Sequence, residues 1–350
     1  MPSDMNQNKS DEEFLGEVRP KLEILEDIRR DKFKIFSLRK KMAMPIGAVM
    51  TPVLGFIDYW LVLLQRGNED MLAGVTAVGL AGLWGWVTKP KRDYAKEYKT
   101  KLLPDIASIF GQFTYDVKGK LPMKAMKPSK IIPNHSSYRS EDLFEGEYRG
   151  VGISFSEIHL SKRRKKSTVT VFKGLGVLLT HGTRKFHGHT ILTKDQGKLG
   201  AWFQKQTNGL KRANMVDLEF ERLFDVYTND QTEARYLIDP IIIESLKDLY
   251  EEYSGNQMMA AFYEGHVLIL IGSKVNHFEP AAIEVPATSE KELLSMKHEI
   301  GQILSIVDRL SLYDPRKRRE AQRQAETTET PQGAAAAQSD PIRWTPDSAS

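Results

Sequence analysis

No cysteine occurs anywhere in the chain. Disulfides, thiolate metal sites and cysteine nucleophiles are thereby excluded. Phosphate-loop, dinucleotide-fingerprint, serine-elbow and HExxH patterns are missing as well. Gly174-Leu175-Gly176 lies inside an apolar, strand-like run and opens no helix, so it does not read as a nucleotide loop. With no reaction centre legible, no cofactor is expected. A strong charge excess is lacking too: 50 Lys and Arg against 46 Asp and Glu give +4, too little to imply nucleic acid. Residues 1–12 are polar and acidic, so no cleavable signal peptide is expected.

What the chain does have is two long apolar runs in an otherwise polar sequence, whose mean hydropathy is −0.41. Ala43–Leu64 carries one charge, Asp58, and Met71–Val87 carries none. A bilayer core of about 30 Å needs about 20 helical residues, so the pair predicts a membrane-spanning hairpin with a short outer loop, residues 65–70. Basic residues flank it on both sides, Arg29, Arg30, Lys32, Lys34, Arg39, Lys40 and Lys41 before, and Lys89, Lys91, Arg92, Lys96, Lys99 and Lys101 after. Only Arg66 lies between, which predicts that both termini are cytoplasmic. Small residues recur every four positions, Ala43, Gly47, Thr51 and Gly55 in one run and Ala73, Ala77, Ala81 and Gly85 in the other. That spacing predicts close packing of the two helices. Pro45 and Pro52 are expected to kink or tilt the first one. Asp58 reads as reaching the headgroup region beside Tyr59 and Trp60, with Trp84 and Trp86 in the opposite belt; the alternative is a functional carboxylate at membrane depth.

Along the rest of the chain the patterns predict a disordered start (1–11) and a charged amphipathic helix (12–42) with Phe14, Val18, Leu22, Leu25 and Ile28 on one stripe. The second span (71–88) extends into a basic helix (89–103). A soluble α+β domain is expected over 104–314. Strand signals cover Gly150–Leu160, Thr168–His181 and Phe186–Thr193, separated by polar turns, the pattern of an antiparallel meander. Asp239-Pro240 opens a helix that should end near Gly255, and Gln257–Tyr263 and His266–Ile271 form a hairpin around Glu264-Gly265. Ser289 and Glu292 form a capping box for a long final helix carrying Leu293, Met296, Ile300, Ile303, Leu304, Val307 and Leu310. Residues 315–350 are low in complexity and expected to be disordered. A pleckstrin-homology-like sandwich closed by the last helix is one candidate architecture.

Three constellations are candidates for function. Lys162, Arg163, Arg164, Lys165 and Lys166 crowd one predicted turn; a solvated turn and contact with anionic lipid headgroups are both consistent with it, whereas the missing interleaved aromatics argue against nucleic acid. Asp225, Asp230, Glu233, Arg235 and Asp239 concentrate charge in DVYTNDQTEARYLID, with Glu157 and Glu279 as further members; a binding site and a capping network are the two readings. His187 and His189, with Glu157 and His159, have the i, i+2 spacing of strand neighbours and would make a metal site only if their strands paired; strand-edge histidines are the simpler reading.

SEIHL (Ser156–Leu160), VFKGL (Val171–Leu175), KFHGHT (Lys185–Thr190), FERLFDVYTNDQTEARY (Phe220–Tyr236) and HFEP (His277–Pro280) occur in that order behind the apolar runs. Together they resemble an uncharacterised bacterial membrane-protein family, domain-of-unknown-function family 3137, over roughly residues 20–312. The resemblance implies a bacterial inner-membrane protein and carries over no reaction or ligand. It adds weight to Glu157, Phe172, Gly174, Phe224, Tyr227, Asp230, Glu233, Arg235 and Tyr236. The expectation is therefore a membrane-anchored adaptor that binds a protein partner or anionic lipid at the bilayer and no nucleic acid. A tethered enzyme using Asp230, Glu233 and Arg235, or a transport component built on the hairpin, is the alternative.

Overall fold

The computed structural model describes residues 10–64, 74–148, 150–165, 167–181, 186–194, 209–213, 224–238, 240–252, 257–274, 276 and 278–311. The expected disordered ends, apart from Ser10 and Asp11, and the expected outer loop lie outside these residues.

The charged N-terminal stripe and the first apolar run form one uninterrupted helix, α1 (Asp11–Leu64), which passes through Pro20, Pro45 and Pro52. A reciprocal capping box opens it: the Glu13 carboxylate accepts from the Ser10 N–H at 3.0 Å and the Ser10 hydroxyl accepts from the Glu13 N–H at 3.2 Å. The two halves of α1 have different surroundings. Phe14, Val18, Leu22 and Leu25 are buried in the main core, whereas Met44, Val49, Phe56 and Leu64 are exposed. By length and composition α1 is a helix that can cross a membrane, and only 6 % of its most apolar stretch is buried.

The second helix, α2 (Gly74–Lys101), runs back along α1. Leu54 fills the notch at Gly79, Gly47 lies against Leu83, and Arg39 donates to the Trp86 carbonyl at 2.7 Å while its guanidinium sits 4.9 Å above the Trp86 ring. Asp58, 3 % exposed, accepts from the Val75 and Thr76 N–H groups at 2.9 Å each. It thus satisfies two of the four N–H groups that a helix start leaves unpaired. The packing surface differs from the expected small-residue stripe: Thr51, Gly55, Ala77 and Ala81 are exposed. The reason is that a large side chain over a single glycine, Leu54 on Gly79, fits the helices as closely as facing rows of small residues.

Behind α2 come α3 (Leu103–Ile109) and β1 (Thr114–Asp116), then a short helix α4 (Met123–Met126) with a 3-10 turn (Lys127–Ser129). The strands β2 (Ser137–Tyr148), β3 (Val151–Arg163), β4 (Thr168–His181), β5 (Thr190–Thr193), β6 (Lys211–Arg212) and β7 (Asp225–Thr228) follow. The chain continues through α5 (Gln231–Leu237), α6 (Pro240–Glu252), β8 (Gln257–Tyr263), β9 (His266–Gly272) and α7 (Glu290–Ser311). The nine described strands make one antiparallel sheet in the order β1-β2-β3-β4-β9-β8-β5-β7-β6. The protein is α+β with a long C-terminal helix, as expected. Its strand order gives no support to a pleckstrin-homology-like sandwich.

Both faces of this sheet are covered, which is why GLGVLL, MMAAFY and VLILIG read as continuous apolar runs. On one face Phe155, Leu175, Val177, Ile269 and Phe262 pack under α1, α3, α6 and α7. On the other, Ile158, Leu160, Phe172, Leu178 and Leu268 pack under the 121–132 segment, where the Tyr263 and Tyr138 hydroxyls donate to the Ala125 and Leu121 carbonyls at 2.9 and 2.8 Å. Residues 11–41 and 89–103 supply core side chains, so the folded unit is larger than the 104–314 segment that the sequence suggests.

A buried carboxylate joins α1 to the segment before α7. Glu26 accepts from Arg29 through two bonds of 2.8 Å, from Arg30 at 2.8 Å and from the Ala287 N–H at 2.8 Å, while Arg29 donates to the Ile283 carbonyl at 2.6 Å. The Arg29 guanidinium holds Glu26 well below its ordinary value of 4.5, at about 2. A lowered folded-state value stabilises the ionised protein above the unfolded value, and that stability is lost as pH falls through the folded one. The contribution is roughly 3 kcal/mol at neutral pH. Glu26→Gln is expected to lower the urea midpoint at pH 7, and the gap from wild type should close between pH 4.5 and about 2. A gap independent of pH would contradict this account.

Candidate functional site

The strand β2 explains how polar groups come to line the sheet. Its residues alternate buried and exposed throughout, yet its register against β3 shifts between Glu141 and Phe144. The extra residue is a β-bulge, with Asp142 in the left-handed region at φ 58°. Before it Ser140 faces Ile158, on the 121–132 side; after it Phe144 faces Phe155, on the helix side. The bulge therefore turns Arg139 and Glu141 onto the helix-side face, at a point that the helices do not cover.

Asp142 itself is fully buried. Lys99 from the end of α2 reaches it at 2.6 Å and also reaches Glu279 at 2.6 Å, and the Tyr115 hydroxyl donates to its second oxygen. Burial pushes the Tyr115 hydroxyl far above its ordinary value, so it remains a donor. Next to this network the Phe278 N–H donates to Glu157 at 3.4 Å, and the Phe278 ring packs on Phe144 and Phe155 at centroid distances of 4.9 and 6.1 Å. Phe278 and Glu279 are thus tied to β3 at Glu157 and to α2 at Lys99.

Where the chain leaves β9, a cleft of about 410 Å³ opens, lined by Lys120, Arg139, Glu141, Glu157, His159 and Lys173 together with Gly174 and Asn276. Arg139, His159 and Lys173 lie directly opposite one another on β2, β3 and β4, and Glu141 lies opposite Glu157 two residues along. Each set shares one face, because directly paired residues of an antiparallel ladder point the same way. His159 bonds the Thr170 hydroxyl at 2.9 Å. Among the described residues, Lys120, Arg139 and Lys173 form no ion pair.

The acidic segment stands elsewhere. Between β3 and β7 lie β4, β9, β8 and β5, so Glu157 is about 24 Å from β7 at the usual strand spacing. Asp230 caps α5, accepting from the Thr232 and Glu233 N–H groups at 3.0 and 2.9 Å. The Glu233 carboxylate accepts from the N–H groups of His187 and Gly188, and Asp225 pairs with Arg212 at 2.8 Å. A Cβ at Gly188 would lie 2.7 Å from Asp230 and 3.0 Å from Glu233, so the two segments meet at the one residue type that fits. Arg235 is exposed; the Tyr236 side chain and Asp239 lie outside the described residues.

The four candidate metal ligands do not converge. Glu157 and His159 are on β3, whereas His187 and His189 precede β5, where His189 bonds the Ser129 carbonyl at 2.9 Å. Among the described residues no group of three or more His, Asp or Glu could hold a metal ion. Lys162, Arg163, Arg164 and Lys165 are exposed at the β3–β4 turn, closed by the Arg164 N–H donating to the Ser167 carbonyl at 2.7 Å, and Lys166 lies outside the described residues.

The basic row and the Lys99 network were not singled out from the sequence. The signal for β2 was present as alternation in SYRSEDLFEGEY, but its charges mask it. Nothing local marks Lys99 among the other juxtamembrane lysines.

The five segments quoted for the family resemblance sort into these two places. SEIHL and VFKGL contribute Glu157, His159, Lys173 and Gly174 to the cleft, where Phe278 of HFEP bonds Glu157, and His187 and Gly188 of KFHGHT meet Glu233 of DVYTNDQTEARY at the clamp. No curated protein and no solved structure matches the chain. The apolar runs and SEIHL lie outside the part that a family model matches, and over residues 170–312 the chain is similar to the family described as Protein of unknown function (DUF3137).

Proposed function

We propose that this protein is a membrane-anchored adaptor of a bacterial inner membrane, spanning it twice with both termini cytoplasmic and engaging anionic headgroups through the basic β3–β4 turn. The observation that carries this reading is the continuity of α1, buried in the domain core from Phe14 to Leu25 and exposed and apolar beyond Met42. A stiff helix of this kind sets the height and tilt of the domain above the bilayer, which a flexible tether would not do.

The return of α2 along α1 and the Asp58 bonds to Val75 and Thr76 support a two-span anchor. In hydrocarbon each unsatisfied backbone N–H costs several kcal/mol, and Asp58 relieves two at the start of the second span. This favours a structural role for Asp58 over a transport pathway. The run of contacts supports a turn that faces the bilayer. Phe14 meets Phe110 at the far end of the domain, and Phe113 there meets Phe155. Nearer the apolar half, Lys99 meets Asp142 beside the Glu141–Glu157 pair. This supports a β3 that runs from Phe155 to Arg163 toward the apolar half of α1. An enzymatic role for Asp230 and Glu233 has less support, because their carboxylates already accept backbone N–H groups.

The cysteine-free chain permits a clean test. Ser167→Cys in the full chain, labelled with an environment-sensitive fluorophore, is reconstituted in nanodiscs. Emission should shift when phosphatidylglycerol replaces phosphatidylcholine. The shift should vanish with Arg163→Glu, Arg164→Glu and Lys165→Glu combined, and in high salt, where exposed charges are screened. Identical emission in neutral and anionic discs would overturn the proposal.

A further inference from the structure

From the cleft beside Glu157 we infer a second ligand site, one that binds a small phosphorylated solute. The phosphate sits on Arg139, Lys173 and Lys120, and hydroxyl or amine groups of the same molecule face Glu141 and Glu157.

Three observations carry this. First, the charges are sorted. Like charges directly opposite each other on neighbouring strands destabilise a sheet, and opposite charges stabilise it. Here Arg139 and Lys173 stand on either side of His159 across three strands with no acid between them, and Glu141 is matched with Glu157. A surface selected for stability alone would place acid against base. Second, Lys120, Arg139 and Lys173 have no carboxylate partner among the described residues, although Glu141 stands two positions from Arg139 on β2 and Glu157 lines the same cleft. Unpaired cations converging on one concavity leave a place for an anion, and a guanidinium with flanking ammonium groups suits the three oxygens of a phosphate. Third, the walls are held. Asn276 belongs to the segment pinned by Phe278 to Glu157 and by Glu279 to the buried Lys99. The cleft volume of about 410 Å³ is within the range of small-molecule sites.

The acidic row limits the ligand. Beside two carboxylates a bare polyanion is repelled, whereas a phosphate ester carrying an amine or hydroxyl a few ångströms from its phosphorus satisfies both rows. Such a group occurs both in soluble phosphate esters and in lipid headgroups.

The test uses the full chain in phosphatidylcholine nanodiscs and O-phosphoethanolamine as the probe, followed by calorimetry. Binding is expected, with ethanolamine giving no heat and inorganic phosphate binding more weakly. Lys173→Glu and Arg139→Ala should each weaken the probe about tenfold or more, the worth of one charge-assisted hydrogen bond. Unfolding midpoints of the two cleft variants close to wild type would show that the loss is local. If phosphatidylethanolamine in the discs competes with the probe, the source is a headgroup; if it does not, the source is a soluble ester. No heat from the probe into the millimolar range, or equal binding by Lys173→Glu, would overturn the inference.

Discussion

Lys99→Met is expected to destabilise the protein by about 3–5 kcal/mol, the cost of removing one partner from a buried ion pair. The cost does not come from the lost attraction alone. Asp142 is fully buried and has Lys99 as its cationic partner among the described contacts, while Glu279 shares the same ammonium. Without Lys99, two carboxylates face each other with the Tyr115 hydroxyl as the one side-chain donor to Asp142 among the described residues. Neutralising the carboxylates should then recover most of the loss: Lys99→Met with Asp142→Asn and Glu279→Gln should be closer to wild type than Lys99→Met alone. Urea unfolding of the full chain in detergent, followed by tryptophan fluorescence, measures both. Equal loss in the single and triple variants would mean that Lys99 contributes packing rather than charge. Because Lys99, in the last turn of α2, holds Glu279, Lys99→Met should also loosen Phe278 and Glu279 and with them one wall of the cleft.

That network shows why some of the molecule was legible in the chain and some was not. Elements whose identity depends on local pattern could be read: the final helix on its apolar stripe, the β8–β9 pair around Glu264-Gly265, and β4 over the very residues predicted. Contacts that depend on where distant segments meet could not. Lys99 is one basic residue among many until Asp142, forty-three positions on, is delivered by a bulge. The bulge has no signature of its own in SYRSEDLFEGEY, because one extra residue leaves the alternation intact while passing the buried side to the other face. β5 falls within the expected Phe186–Thr193 run, whereas the short β7 and the helix α5 capped by Asp230 lie in a segment whose charge density leaves a binding site and a capping network both open. The acidic cluster was visible as composition. That its carboxylates would be taken up by the N–H groups of His187 and Gly188 requires the β5–β7 pairing. Composition groups Glu157 with Asp230 and Glu233, and the sheet order sets it apart from them on β3.

Gly174→Ala should be still more damaging than Lys99→Met, and the reason lies in backbone alone. Gly174 has φ 155°, a region that residues with a Cβ rarely enter. A methyl there would fall 1.9 Å from the Ile271 carbonyl oxygen, 2.7 Å from the Ser273 nitrogen and 2.8 Å from the Gly272 Cα. None of these is a side-chain end that can swing aside; all belong to β9 or its exit, so the whole strand must move. β9 lies between β4 and β8 in the middle of the sheet, and displacing it breaks pairing on both sides and opens both cores. A loss above about 4 kcal/mol is expected, which is exceptional for a single methyl group. Gly152→Ala, on the neighbouring strand, is the matched control. Its nearest atoms would be 3.6 and 3.7 Å away, ordinary contact, so its cost should stay near the average for a strand surface. Chemical denaturation of the two variants side by side separates a general intolerance of the sheet from a pinch point at Gly174. Comparable stability of the two would refute the pinch. A large difference would tie VFKGL to architecture, since the same close approach lets the Ser273 N–H donate to the Lys173 carbonyl at 2.9 Å and sends the chain toward Asn276 and Phe278. Gly174 would then serve the cleft without touching a ligand, by fixing the strand exit from which the cleft wall is built.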